Sequence, residues 1–249
     1  MSQIILKTKK EIEIMREGGK ILSETLALAK KKIKIGTTGD EIDAIMEKNI
    51  LRYGALPAFK GFNNFPASVC FSVNNEIVHG NPYGKVLKNG DIVSIDCGVL
   101  YKGYYSDAAF TVDVGQISTE IKEMIQNTKK ALQVGIKSII INENLGNVSN
   151  AIQKFGESFK YGIVKELCGH GIGKNLHEKP DILNIGEKGI GSKIKEGMVF
   201  CLEPMFTLGH WKIKKGKDGF SWETEDGSLS AHFEHTIAIT ENGPEILTN

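Results

Sequence analysis

The chain has 249 residues, of which 41% are hydrophobic and 24% are charged, a balance typical of a globular protein with a sizeable core. Thirty-one basic residues against 30 acidic ones give a net charge of +1, so the composition indicates neither a nucleic-acid-binding nor a membrane-binding protein. The length suits one large domain or two small ones.

The N-terminal stretch and the four cysteines bear on the compartment. The first 19 residues have three apolar residues followed by charges and no long apolar core. We therefore expect neither a secretory signal nor a membrane anchor, and a cytoplasmic location. The cysteines show no C-x-x-C spacing, and Cys97 and Cys201 lie in apolar, strand-like runs. Buried, reduced thiols are expected rather than disulfides or a zinc–thiolate site.

Two helices are predicted at the start of the chain. Thr8 with Glu11 three residues later forms a capping box, and apolar residues then alternate steps of three and four as far as Ile33, which predicts a helix with one buried face. Thr38 with Glu41 repeats the capping signal for a second helix.

Strands are predicted next, at 68–73, 91–101 and 105–115. The YKGY sequence at 101–104 predicts the turn that joins the last two strands. Asp96 and Asp107 would then lie on facing arms of one hairpin. Their separation of 11 residues along the chain becomes closeness in space.

The second half of the chain repeats this order of elements. Helical patterns cover about 118–140 and 146–159, and strands follow that carry His170, Glu203 and Glu234. The connection between the two glutamates is longer than its counterpart in the first half, and it contains the lysine-rich run 212–217. We expect that run to be a solvated loop.

A repeat at an offset of 107 residues links the halves. LKNGDIVSID at 87–96 matches IKEGMVFCLE at 194–203, and GDEIDAI at 39–45 matches GNVSNAI at 146–152. A long repeat seen only twice suggests a duplicated half-domain rather than a solenoid. We predict one domain over 1–249 with halves of about 1–115 and 116–249, of α+β class, with an antiparallel sheet covered by helices.

The repeat places an acidic residue at the end of an apolar strand in each half. Asp96 follows IVSI and Glu203 follows MVFCL. A buried carboxylate is costly unless it is paired or coordinated, and two that meet on an axis repel each other. Protons or metal cations would let the two carboxylates coexist, and we predict a metal site. The alternative is a buried ion pair with a Lys or Arg, although no basic residue lies within these apolar segments.

Two of the six histidines, His170 and His79, lie beside glycine, and His177 follows His170 by seven residues. His170 is in CGHGIG, His177 follows in NLHEKP, and His79 is in IVHGNP. A lone histidine is more often structural. Beside paired buried carboxylates, this pattern favours ligand and catalytic roles.

Five motifs in order resemble methionine aminopeptidases of the short bacterial type, type I of peptidase family M24: VHGNP at 78–82, IDCGVLYKGYYSDAAFTVDVG at 95–115, GHGIGKNLHEKP at 169–180, EGMVFCLEP at 196–204 and SAHFEHTIAIT at 230–240. The resemblance covers essentially the whole chain. It implies the pseudo-symmetric "pita-bread" fold. The family's metal ligands match Asp96, Asp107, His170, Glu203 and Glu234, and its catalytic histidines match His79 and His177.

The resemblance also implies a mechanism for a metal-dependent hydrolase. Asp107 and Glu234 bridge two divalent ions, which are Co, Mn, Fe or Zn, and a water between them becomes the nucleophile. Glu203 carries a proton to the leaving amine. His177 stabilises the oxyanion and His79 contacts the scissile amide nitrogen. The substrate implied is the N-terminal Met of nascent polypeptides with a small second residue, the partner is the ribosome, and the protein is a monomer.

A methionine side-chain pocket should be apolar, soft and sized for an unbranched chain. Matching positions point to Phe59, Phe62, Phe65, Cys70, Leu176 and Trp222, beside His79 and His177. Simple core packing is the alternative for each. Related enzymes often have tyrosine at Phe62 and Phe65 and an aromatic at Leu176, and an amide is common at His232.

Two other hypotheses stand beside this one. The first is a non-catalytic binding module on the same fold, which the complete ligand set disfavours. The second is a dimetal peptidase directed at proline, because such relatives share the metal ligands. Only 25 residues separate His177 from Glu203, which excludes the long insertion of type II methionine enzymes.

Overall fold

Helices cover a curved antiparallel sheet in the computed structural model, which describes residues 3–249. The helices are α1 (Lys9–Lys32), α2 (Gly39–Arg52), α3 (Thr119–Lys137) and α4 (Leu145–Ser158), with a short 3-10 turn at Phe62–Asn64. Residues 1 and 2 lie outside the described residues. They open the N-terminal stretch in which we expect neither a secretory signal nor a membrane anchor. No helix within 3–249 is both long and apolar enough to span a bilayer.

Both predicted capping boxes are present. The Thr8 side chain accepts the N–H of Glu11, and the Glu11 carboxylate accepts the N–H of Thr8 at 2.8 Å. Thr38 and Glu41 make the same reciprocal pair at the start of α2. Each cap contributes about 1 kcal/mol by satisfying N–H groups that the first helical turn leaves unpaired.

The strands, numbered along the chain, are β1 (Leu56–Pro57), β2 (Cys70–Val73), β3 (Glu76–Val78), β4 (Ile92–Tyr101), β5 (Tyr104–Asp113), β6 (Gly162–Ile163), β7 (Gly169–Gly171), β8 (Glu178–Ile182), β9 (Val199–Leu202), β10 (Met205–Thr207), β11 (Ile213–Lys215), β12 (Trp222–Thr224), β13 (Ser230–His232), β14 (Glu234–Thr240) and β15 (Gly243–Ile246). The main sheet runs β1-β4-β5-β14-β9-β7-β8, with β2 paired to β4 and β15 to β14. Two small sheets run β13-β10-β6 and β11-β12-β3.

A two-residue turn joins β4 to β5, as the sequence predicts. Lys102 and Gly103 both have positive φ, at 47° and 82°. Such a turn matches the twist of the two strands that it connects. The hairpin is therefore continuous over ten residue pairs.

Corresponding elements recur in the two halves. In the first half, Thr38 before α2 forms an isolated bridge with Val86. In the second half, Asn144 before α4 bridges Lys193 in the same way. The repeated sequence segments thus occupy α2 and α4 and the strands β4 and β9. The division of one domain at about residue 115 remains a prediction.

Each pair of helices covers its own part of the core. Leu22 and Ile42, from α1 and α2, pack with the apolar face of β4. Leu132 and Ile152, from α3 and α4, pack with Phe200 of β9. All five side chains are at most 2% exposed, and each contributes about 1.5–3 kcal/mol by leaving water. These two parts of the core hold in place the strands that carry the predicted metal ligands.

The cysteine prediction is largely confirmed. All four cysteines are free, and Cys70, Cys97 and Cys201 are buried. Cys168 is only half-buried. Burial raises the pKa of all four thiols, to about 11 for Cys168, so they stay protonated near neutral pH.

The expectation of a solvated loop at 212–217 is wrong in part. Residues Ile213–Lys215 form β11, which pairs with β12. The Lys215 ammonium lies 4.6 Å from the centre of the Trp222 ring and donates to the carbonyl of Phe220 at 2.8 Å. The lysine run by itself gives no sign that it pairs with a strand seven residues further along the chain.

Candidate metal centre and active site

Five adjacent strands of the main sheet supply the five predicted metal ligands. In spatial order the ligands are Asp96 on β4, Asp107 on β5, Glu234 on β14, Glu203 directly after β9, and His170 on β7. They span 139 positions of sequence, from Asp96 to Glu234, counting both ends. Sheet pairing brings them together, and the helices behind the sheet hold it in place.

Strand register puts the first three carboxylates on one face. Asp96 pairs with Ala109, and Gly98 pairs with Asp107. The two aspartates are therefore offset by two positions and point to the same side. Glu234 also pairs with Ala109, from the other edge of β5.

The carboxylates come close enough to share cations. One oxygen from each of Asp96, Asp107 and Glu234 lies within 4.8 Å of the others. A second group with the same spacing joins Glu203 and His232 to Glu234, and a third joins His170 and Cys201 to Glu234. Glu234 is common to all three groups. Cys201, which the sequence predicts to be a buried thiol, thus lies beside two of the predicted ligands.

Burial shifts the pKa of each acidic residue upward. Loss of hydration raises the pKa of Glu203 to about 8. Loss of hydration and then the charge of Glu203 raise the pKa of Asp107 to about 7. The pKa values of Asp96 and Glu234 are also raised well above their usual range, first by burial and next by the charge of Asp107. The cluster is unfavourable when ionised and alone.

The donor set fits divalent cations. Asp96 Oδ1, Asp107 Oδ1 and Glu234 Oε1 are buried and have no hydrogen-bond partner within residues 3–249. Polar atoms in such positions are normally satisfied. Four carboxylates and one imidazole suit first-row divalent metals, and bound cations would lower the raised carboxylate pKa values.

Two predicted catalytic histidines flank the acidic cluster. His79 follows β3 with a positive φ of 60°. His177 precedes β8, and its ring lies 4.3 Å from that of His170 in an edge-on arrangement. Burial lowers the pKa of His79 to about 4, with a smaller contribution from the charges of His232 and Lys215. Burial also lowers the pKa of His177. Both imidazoles are neutral near pH 7, and each can donate one N–H.

One cavity of about 600 Å³ contains the whole constellation. Every site residue predicted from the sequence lines it, including the six pocket residues Phe59, Phe62, Phe65, Cys70, Leu176 and Trp222. Phe62 meets the ring of His177 edge-on at 5.4 Å, and Phe65 meets Phe220 at the same distance. The wall thus has an apolar part directly beside a charged part. The roles of these residues remain predictions.

Sequence reasoning missed part of the cavity lining. The additional residues are Asn63, Val78, Glu166, Leu167, Cys168, Asp181, Lys215, Gly219 and Phe220. Most follow no strand-ending or glycine-flanked pattern that would mark them. Leu167 and Cys168 do directly precede the GHGIG motif, and that proximity is the one signal that could have found them.

His232 lies closer to Glu203 than to Glu234. Its side chain is 1% exposed, and its Nε2 is 3.4 Å from an oxygen of Glu203 and 3.8 Å from an oxygen of Glu234. Burial lowers the pKa of His232 to about 3, so the ring is neutral. A neutral ring at this position can orient a carboxylate without adding charge.

Comparison with known proteins agrees with this geometry. The sequence model of metallopeptidase family M24 matches residues 13–241. Methionine aminopeptidase of Clostridium perfringens is 48% identical over 245 residues, which cover 98% of each chain. Methionine aminopeptidase 1 of Bacillus subtilis is 46% identical over 245 residues, with 98% of this chain and 99% of the relative covered.

Solved structures give the same answer for the fold. The crystal structure of methionine aminopeptidase from Rickettsia prowazekii has a TM-score of 0.97 and 40% identity, over 99% of this chain and 100% of that chain. Prolidase from Pyrococcus furiosus has a TM-score of 0.80 and 26% identity, over 98% of this chain and 65% of that chain. The pseudo-symmetric α+β pita-bread fold is therefore confirmed. The chain belongs to metallopeptidase family M24, among the methionine aminopeptidases.

Proposed function

We propose that this protein is a methionyl aminopeptidase that removes the N-terminal methionine from nascent proteins and peptides when the second residue is small. The observation that carries the proposal is the single cavity in which carboxylates, neutral histidines and an apolar wall meet. The high identity to methionine aminopeptidases over the full chain supports the same activity.

The five predicted ligands would hold two divalent metal ions. Glu234 belongs to each group of close ligand atoms, which supports a role as a shared ligand. Asp107 is proposed as the second shared ligand on the resemblance to the family. When bound, such a pair of cations supplies a water of lowered pKa and polarises the carbonyl group of the substrate. Cobalt, manganese, iron and zinc are the candidate metals.

Glu203 is proposed to move the proton. Its raised pKa of about 8 shows how strongly the site favours the protonated acid when no cation is near. A carboxyl group that can hold or release a proton near neutral pH suits general acid–base work on the leaving amine.

The two neutral histidines are proposed as hydrogen-bond donors to the reacting amide. His177 would donate to the developing oxyanion and His79 would contact the scissile nitrogen. A neutral imidazole suits this task, because a positively charged imidazolium would compete with the metal ions for the same acidic site. Removing one such donor typically lowers kcat by about 10²–10³-fold.

The apolar wall is proposed to select methionine. Phe59, Phe65 and Cys70 are buried side chains that line the cavity together with Trp222. A thioether packs well against aromatic rings. Losing or branching one methylene in such a pocket is worth about 1–3 kcal/mol, or 10–200-fold in kcat/KM. Norleucine should therefore be accepted, and leucine should be a poor substrate.

A panel of peptides tests the activity and its specificity. We expect Met-X-Gly peptides to be cleaved when X is Gly, Ala or Ser, and slowly when X is Leu or Lys, with Mn(II), Fe(II) or Co(II) added. Equal cleavage across the panel would refute the size filter. Fast release of residues other than Met would refute the pocket. Cleavage of X-Pro-X peptides in preference to Met-Gly-X would favour the proline-directed alternative.

The cellular location, the oligomeric state and the contact with the ribosome are also proposals. We expect a monomer that acts in the cytoplasm on chains leaving the ribosome, because newly made proteins present the free N-terminal methionine that the site requires. Sedimentation with translating ribosomes tests the contact. Metal analysis of protein purified without oxygen tests for two ions per chain and identifies them.

A further inference from the structure

A buried ion pair joins the N-terminal segment to the loop that carries His177. The Lys7 ammonium lies 2.6 Å from Glu178 Oε2, and the two side chains are only 3% and 4% exposed. Removing two charges from water is expensive and often leaves little net stability. Lys9, two residues further along, makes a pair with Glu241 in which the side chains are 75% and 59% exposed. Stability alone therefore does not account for the buried pair of Lys7 and Glu178.

The buried pair closes a short loop, residues 173–178, named here the histidine loop. Glu178 uses its other oxygen to accept the N–H of Asn175 at 3.0 Å. Gly173 passes so close to Lys7 that a Cβ at this position would overlap the lysine Cε. The carbonyl of Gly173 accepts the N–H of Tyr105 at 2.8 Å. The loop is thus folded around the lysine side chain and tied to β5.

The histidine loop presents Leu176 and His177 to the cavity. Leu176 is 3% exposed, and the His177 ring makes edge-on contacts with His170 and Phe62. These ring contacts act on the side chain of His177, whereas the Glu178 carboxylate contacts the loop backbone at the N–H of Asn175. A donor that moves by about 1 Å can lose a large part of its effect on the transition state.

Lys7 is also tied to the strand that leads to Glu203. Its N–H donates to the carbonyl of Gly197 at 2.7 Å, and β9 begins two residues later. Gly197 has a positive φ of 86°, and a Cβ there would lie 2.8 Å from the Lys7 carbonyl oxygen. The backbone of Lys7 therefore contacts the segment that leads into β9, and its side chain contacts the histidine loop.

We propose that Lys7 is a positioning residue for the reaction: through Glu178 it fixes His177 at a set place relative to Glu203. This inference rests on the proposed role of His177. Lys7 itself lines no part of the cavity and touches no proposed ligand. Its influence on turnover would pass through the histidine loop.

A double-mutant cycle tests the inference. We expect Lys7→Met to lower kcat about tenfold with unchanged metal content, and to lower it no further in a His177→Ala background, because the residue that it positions is gone. The matched control is Lys9→Met, which should leave kcat unchanged. Additive losses in the double variant, or a wild-type kcat in Lys7→Met, would overturn the proposal.

Two further measurements separate positioning from folding. Lys7→Met leaves the Glu178 charge buried alone, so Lys7→Met/Glu178→Gln removes both charges and keeps an acceptor for Asn175. This variant should melt close to the wild type and still show the reduced kcat; a wild-type kcat would overturn the proposal. The proton NMR signals of the His177 ring, assigned with His177→Ala, should shift in Lys7→Met and stay in place in Lys9→Met. Unmoved signals in both would also overturn it. Full activity of His177→Ala would instead refute the proposed role of His177.

Discussion

The two halves of the molecule use matching strands in different ways. In the first half a two-residue turn joins β4 to β5, so Asp96 and Asp107 lie on one rigid hairpin. In the second half Glu203 and Glu234 also flank neighbouring strands, but the chain between them, residues 204–233, makes a long excursion through β10 to β13. The ligand-bearing strands are alike, and the connections differ.

The excursion of the second half completes the wall of the first. Trp222 on β12 pairs with Val78, the residue just before His79. Asp218 in the β11–β12 connection accepts the N–H of Asn81 at 3.2 Å and that of Ser221 at 2.8 Å. The hairpin thus holds the turn that carries His79. The metal centre depends on strands that the halves share, and the excursion adds Trp222 to the proposed methionine pocket.

The sharpest way to break this comparison is to remove one shared ligand. Asp107→Asn keeps the shape of the side chain and removes its charge. We expect turnover to fall below detection and at least one metal to bind more weakly, as measured by titration calorimetry and metal analysis. Asp113→Asn, at the exposed end of the same strand, is the matched control and should behave like the wild type. Full activity with two equivalents of metal in Asp107→Asn would disprove the assigned ligand set.

The next largest effect concerns the histidines, one from each half. His79→Ala and His177→Ala should each lower kcat by on the order of 10²-fold, because each removes a donor to the transition state. Metal content should stay at the wild-type level in both variants. Loss of metal from either variant would mean that the histidine is itself a ligand. A rise in KM with unchanged kcat would mean that it only binds substrate.

Much of the ligand geometry could be predicted because it depends on local patterns. A carboxylate that ends an apolar strand, as at Asp96 and Glu203, marks a buried charge that needs a partner. The YKGY turn fixes the register that puts Asp107 opposite Gly98. Capping boxes fix where α1 and α2 begin. Each of these signals lies within a few residues of the feature that it predicts.

The remaining features depend on contacts between distant segments. Lys7 and Glu178 are 171 residues apart, and nothing near either residue indicates the other. In the sequence, Lys215 is one lysine of a basic run. The pairing of β12 with β3 brings it to the cavity. His232 lies 3.4 Å from an oxygen of Glu203 and 3.8 Å from one of Glu234, because strand pairing, and not sequence distance, sets its neighbours.

The smallest predicted effect is a pH dependence of the metal-free fold, and it has two opposing parts. The pKa values of Asp107 and Glu203 are raised by burial to about 7 and about 8. The folded state therefore holds protons that the unfolded chain has released above about pH 4, and this contribution is lost as the pH rises to about 8. Burial lowers the pKa of His79 and His170 to about 4. Their contribution therefore grows as the pH rises, is mostly complete at about pH 6.5 and levels off within about one unit above it.

Above about pH 6.5 the carboxylates change more than the histidines, so the thermal midpoint of metal-free protein should fall between pH 6.5 and 8. Divalent cations favour the ionised carboxylates, so the metal-loaded protein should show little or no fall over the same range. Glu203→Gln cannot titrate at that position, and its metal-free form should show a smaller fall than the wild type. Differential scanning calorimetry at half-unit pH steps, with and without chelator, measures all three. If metal-free wild type became more stable from pH 6.5 to 8, the pKa values of Asp107 and Glu203 would not be raised by burial in the folded state, and the proposed metal centre would lose its electrostatic basis.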